Sequence, residues 1–155
     1  MDKKTWILIL ALLFCAIITT PCVAQEHLIL SKKEVQFFYD MTYSDWEQYV
    51  RQLHAPEGHQ LRFKEMPTGT SYVLSYPSNI HLSVQPIFNN DGVLGSLVIG
   101  SYYPKNVNLS FDEQFRKDIE KQTQQELGSQ YVVKAEVLEM GSNHRGVEFM
   151  IIPAR

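Results

Sequence analysis

The sequence predicts an α+β domain: an antiparallel sheet of about six strands with two N-terminal helices and one helix inserted before the last hairpin, in the order α-α-β-β-β-β-α-β-β. Three observations predict it. Ser-x-x-Glu occurs at Ser31, Ser44 and Ser110, where the Ser oxygen can accept from the N3 amide while the Glu reaches back to the N-cap amide. Between the second and third of these, apolar and polar residues alternate with the period of half-buried strands. Two turn sequences, Asn89-Asn90-Asp91-Gly92 and the polar stretch Gly141 to Gly146, fold such runs into hairpins. Helices lying outside a strand meander favour an antiparallel sheet over a doubly wound one.

The first two helix starts predict helices over 32–41 and 45–54. Leu61 and Phe63, alternating with Arg62 and Lys64, then read as a strand. Tyr72 to Tyr76 is a second short run, closed by Pro77-Ser78-Asn79. Ile80, Leu82, Val84, Pro86 and Phe88 alternate with His81, Ser83 and Gln85, and after the Asn89–Gly92 turn the chain returns over Val93 to Tyr102. Even-to-odd pairing would put Leu82 and Val84 on one face with Leu97 and Ile99, the kind of pattern that fixes register. Pro86 cannot donate to a ladder, which points to an edge position or a bulge.

After the linker-like Tyr103-Pro104-Lys105-Asn106, a helix over 111–127 places Phe111, Phe115 and Ile119 at i, i+4 and i+8, with Leu127 one stripe further and Gly128 to end it. Tyr131 to Met140 and Val147 to Pro153 form the last hairpin. Symmetric closure sets Glu139 against Glu148, a like-charge pair that would either hold a cation or a basic partner residue, or point into water. In that register Val133, Ala135 and Val137 share a face with Met150 and Ile152. Val132, Leu138 and Met140 share the other with Val147, Phe149 and Ile151. One face must meet the core; the other is covered by a helix or exposed as an apolar patch of the kind that marks an interface.

Residues 1–24 read as a secretory signal peptide. Lys3 and Lys4 precede an uncharged, mostly apolar run from Trp6 to Thr20, and Cys22-Val23-Ala24 is a small-x-small cleavage pattern. The run is shorter than the roughly 20 residues of a spanning helix, so cleavage is favoured over an uncleaved anchor and leaves no stable membrane span. Neither cysteine has the flanks of a lipid-modified one. Residues 25–155 are then a single exported domain, periplasmic or secreted. Both cysteines, Cys15 and Cys22, leave with the signal. A thiol-free domain has no disulfide, Cys nucleophile or Cys-ligated zinc.

No chemistry announces itself. The pI of about 5.9 gives no footprint for nucleic acid. There is no G-x-S-x-G elbow, P-loop or dinucleotide glycine pattern. His54, Glu57 and His59 match no recognised metal-ligand spacing. No catalytic residue, metal ligand or cofactor is therefore assigned.

Aromatic residues are more suggestive. Tyr39, Tyr43 and Tyr49 cluster with Phe37, Phe38 and Trp46, and Tyr102 and Tyr103 end a strand. Tyrosine suits interfaces because it combines contact area with a polar tip, although such residues also complete cores. The candidate partner-binding residues are Tyr39, Tyr43, Tyr49, Tyr102, Tyr103, Glu139 and Glu148. The expected function is an exported small protein-binding domain: an inhibitor, immunity or accessory protein that covers a partner's surface. Its acidic charge favours a basic partner by steering. The alternative is a small-ligand or cell-wall-binding module with a pocket between sheet and helices, and a hydrolase without a recognisable motif is a third class. A protein binder predicts a flat patch without a deep pocket, a ligand binder a closed apolar cavity, and an enzyme two titratable groups in contact inside a cleft.

Overall fold

The computed structural model describes residues 31–154; the expected signal peptide, residues 1–24, lies outside them. Helices α1 (Lys32–Tyr39) and α2 (Tyr43–Arg51) precede strands β1 (Gln60–Lys64), β2 (Ser71–Ser75), β3 (His81–Phe88) and β4 (Leu94–Pro104). Helix α3 (Glu113–Leu127) and strands β5 (Tyr131–Met140) and β6 (His144–Pro153) follow. The element order is the one expected from the sequence. All six strands form one antiparallel sheet in the order β1-β2-β3-β4-β6-β5, so the last hairpin docks through β6 against β4 and leaves β1 and β5 at the edges.

The helices start on side-chain oxygens, two of them not the expected ones. Ser31 caps α1 in a full capping box with Glu34. At α2 the cap is Thr42, boxed with Asp45, instead of Ser44 with Glu47. At α3 it is Asp112 instead of Ser110, whose hydroxyl bonds Asp112. In both cases a second capping residue stands two positions from the expected Ser. Freed from the cap, Glu47 clamps Thr70. One carboxylate oxygen accepts the Thr70 amide at 2.8 Å and the other its hydroxyl at 2.9 Å. The neighbouring Trp46 indole donates to the Thr70 carbonyl at 2.8 Å.

Strand alternation builds the core. Tyr72 on β2, Val84 on β3, Leu97 and Ile99 on β4, and Val147, Phe149 and Ile151 on β6 point to one face with Val133 and Ala135 of β5. All are buried, and they join Val35 and Phe38 of α1, Trp46 and Tyr49 of α2, and Ile119 and Leu127 of α3. The three described helices thus cover the same side of the sheet. Trp46 is the hub: its ring lies 5.7 Å from Phe38 and 6.2 Å from Tyr72, centroid to centroid.

In the β3–β4 hairpin, Val84 pairs with Ile99 and Pro86 with Leu97, so the expected shared face forms. The pairing slips at Ile87/Phe88, beside Pro86, as the bulge expectation requires; the strand itself is interior. The Phe88 amide donates to Thr68 on the β2 side, and residues two apart aim alike. The missing Pro86 donor therefore faces the point where the β2 ladder has already ended.

The last hairpin corrects the symmetric closure. Glu139 pairs with Arg145, and Glu148 pairs with Glu136. The turn is the short stretch Gly141–Asn143, and His144, Arg145 and Gly146, turn-like in sequence, are strand. The offset from the expected register is odd, so the faces exchange partners: Val133, Ala135 and Val137 share theirs with Ile151, Phe149 and Val147. Gly146 explains why the chain can pair here. A Cβ at that position would lie 2.0 Å from the Ser101 carbonyl oxygen, so only glycine lets β6 approach β4.

Candidate functional site

With all described helices on one side, the opposite face of the sheet lies bare among the described residues. Alternation places on it Val73 of β2, His81, Ser83, Gln85 and Ile87 of β3, Val98 and Tyr102 of β4, Glu148, Met150 and Ile152 of β6, and Val132, Lys134, Glu136 and Leu138 of β5. The face has two halves.

The apolar half spans β4, β6 and β5. Val98 lies opposite Met150, and Ile152 opposite Val132. Met150 is 41 % exposed and Val132 43 %, among the larger apolar exposures in the domain. Val98 and Ile152 beside them are half-buried. Lys134 stands next to this strip, opposite Met150.

The polar half lies towards the other ends of the same strands. Tyr102 leans across Gly100, where a Cβ would sit 2.8 Å from its ring and 2.6 Å from the Ser83 hydroxyl. Its phenol donates to Glu148. Burial raises the Tyr102 pKa well above the ordinary phenol value, and the Glu148 carboxylate adds to the shift, so the phenol stays protonated and serves as a donor. Glu148, which pairs across the ladder with Glu136, accepts that bond from β4. Beside Tyr102 stand two histidines from distant parts of the chain. The His81 and His144 rings lie 4.5 Å apart. His81 Nδ1 is 2.8 Å from the Ser75 hydroxyl, and His144 Nε2 is 3.0 Å from the Asn79 carbonyl oxygen. Burial lowers the His81 pKa, with smaller contributions from His144 and Arg62.

The sequence-derived candidates divide. Glu148 lies on this face, and Tyr102 beneath it. Glu139 is at the hairpin mouth, where it meets Lys105 Nζ at 3.2 Å. Tyr43 is exposed over α2 with its ring against Phe88. Tyr39 is half-buried and donates to the Ile151 carbonyl at 2.6 Å, its pKa raised chiefly by burial. Tyr49 and Tyr103 are buried in the core, and burial pushes the Tyr103 phenol up to about 12. Of the five tyrosines, Tyr43, 39 % exposed, is the most open to a partner. Tyr39, Tyr49 and Tyr103 complete the core or brace it, and Tyr102 is buried against the opposite face, bonded to Glu148. The meeting of His81 with His144 was not foreseen, since nothing in local spacing links residues on different hairpins.

Two open clefts flank the fold. One, of about 700 Å³, lies between α2 and the β1–β2 connection, lined by Tyr43, Glu47, Gln48, Arg51, Glu65 and Met66 among others. The second, of about 420 Å³, lies beside α3 against Glu136, Val137 and Arg145. Both are lined mainly by charged and polar side chains. Among the described residues no group of three His, Cys, Asp or Glu side chains is placed to hold a metal ion. No described helix is long and apolar enough to cross a membrane.

No family model, no curated protein and no solved structure matches this chain.

Proposed function

We propose that the protein is an exported protein-binding domain, periplasmic or secreted, that covers a partner through the bare face of its sheet, as an inhibitor, immunity or accessory protein does. The reading rests on one observation: a broad six-stranded face carries exposed Met150 and Val132 with Val98 and Ile152 beside them, and no described element covers it. Exposed apolar side chains gathered on a flat surface are characteristic of interfaces, and a polar margin of the kind made by Glu148, Lys134 and the histidine pair is their usual rim. The two clefts support the same reading over a ligand-binding module, because neither is a closed apolar cavity.

Site-specific photo-crosslinking in the native envelope tests it. A benzophenone amino acid replacing Met150 or Val132 should give a discrete adduct with one protein, while the same group replacing Gln122, exposed on α3, should not. Adducts from Gln122 alone, or from no position, contradict the reading. N-terminal sequencing of the same material should begin at Gln25; recovery of an intact Met1 contradicts export with cleavage.

A further inference from the structure

The two edges of the sheet differ in a way that points to a second mode of contact. At β5 four outward backbone groups between Tyr131 and Ala135 are bonded by side chains of α3. Gln124 accepts from the Val133 amide at 2.9 Å and donates to the Tyr131 carbonyl at 2.8 Å. Glu120 accepts from the Ala135 amide at 2.7 Å, and Arg116 donates to the Ala135 carbonyl at 3.1 Å. Residues 116, 120 and 124 recur every fourth position, so one helical stripe lies along the edge and imitates a missing strand.

At β1 no such device exists among the described residues. The Tyr76 amide donates to Ile80 and the Phe88 amide to Thr68, so even-numbered residues of the β2 segment bond towards β3 and odd-numbered ones towards β1. Ser75, Val73 and Ser71 pair with Gln60, Arg62 and Lys64. The amides and carbonyls of Leu61 and Phe63 therefore point outward. On one side of this edge Phe63 is 49 % exposed. On the other stand Arg62 and Lys64, both exposed and in no ion pair among the described residues, with neutral Val73 and Ser71 as their cross-strand neighbours. Glu57 and Glu65 lie in the flanking turns, outside the strand.

We infer that β1 accepts an added strand from a partner protein, an extended segment in which acidic residues alternate with apolar ones. The acidic residues would stand beside Arg62 and Lys64 and the apolar ones beside Leu61 and Phe63, while the backbone bonds supply the attachment. A second copy of this chain fits less well: the register centred on Leu61 sets Phe63 against His59 and Lys64 against Gly58, both outside the strand. Antiparallel pairing of Leu61 with Phe63 of a second copy sets Arg62 against Arg62, and pairing centred on Phe63 sets Arg62 against Lys64; like charges directly opposite destabilise a sheet. The inference rests on the protein-binding reading and names a surface and a partner chemistry for it.

The test is a fluorescence-anisotropy titration of the purified exported chain with a labelled peptide of about ten residues alternating valine and glutamate, a length that spans one strand. Saturable binding is expected. Exchange of glutamate for lysine should weaken it about tenfold or more, since two cross-strand charge pairs change sign. Methylation of the amides on the peptide's bonding edge should weaken it as well, which charge attraction alone would not produce. Phe63→Pro removes an outward donor without touching the β1–β2 ladder and should abolish binding. The double variant Arg62→Glu, Lys64→Glu should reverse the preference to the lysine peptide, which keeps the test informative if Phe63→Pro unfolds. Equal binding of the two peptides, no binding of either, an unreversed preference or self-association through β1 would overturn the inference. Met150→Glu should leave this titration unmoved, so failure at the edge is distinguishable from failure at the bare face.

Discussion

The same six strands present two faces built from the same alternating sequence. Towards the helices, Val84, Leu97, Phe149 and Ile151 interlock with Phe38, Trp46 and Ile119, and the polar groups that approach them, Thr70 and Tyr39, are all bonded. Away from the helices, valine, methionine and isoleucine of similar apolar character stand beside Glu148, Lys134 and two histidines with no described element above them. Apolar content alone does not distinguish the two; whether a helix lies above does. A residue that holds the fold together and a residue available to a partner can therefore be neighbours along one strand, as Phe149 and Met150 are.

The contrast makes graded predictions. Trp46→Ala should have the largest effect, about 3–5 kcal/mol in chemical denaturation, because it opens a cavity at the centre of the aromatic cluster and strips the Thr70 carbonyl of its donor. Gly146→Ala should cost about 3 kcal/mol, since the added Cβ meets backbone that cannot yield. Gln124→Ala should cost about 1–2 kcal/mol by leaving the Val133 amide and Tyr131 carbonyl unsatisfied, and should raise concentration-dependent association through the unsealed β5 edge. Met150→Glu, one residue from Phe149, should change stability by less than about 0.5 kcal/mol.

Acidity should act on the polar half of the bare face. Because the folded chain holds His81 below the ordinary value of 6.5, the unfolded chain takes up the proton first as pH falls. Stability is level above that pH, where the ring is neutral in both states, and declines below it until the folded ring is also protonated. A denaturation series across this range should show the decline, and His81→Gln should flatten it. At the other extreme Tyr103, raised to about 12 from an ordinary value of 10, should cause stability to fall as pH rises through that interval, because the unfolded phenol ionises first.

Much of the fold was readable in the sequence. Alternation identified the strands, and the even-to-odd pairing of Val84 with Ile99 followed from a tight turn in which the Asn89 side chain accepts the Asp91 and Val93 amides. The last hairpin was not readable in the same way. Both of its faces carry apolar residues, so an odd slip loses little apparent burial, and the deciding facts are the short Gly141 turn and the Gly146 approach to Ser101. Helix starts were ambiguous wherever two capping residues stood two positions apart. The sealing of β5 leaves a faint signal, Arg116, Glu120 and Gln124 beside the apolar stripe of α3, but its meaning depends on where the helix lies. The histidine pair and the Tyr102–Glu148 bond join residues far apart in the chain, and local pattern carries no information about them.

The most direct measurement takes the partner identified by crosslinking and titrates it against wild type and Met150→Glu, with denaturation of both proteins alongside. An unchanged unfolding midpoint together with loss of most of the affinity is expected of Met150→Glu. Retained affinity in a folded Met150→Glu protein would contradict it.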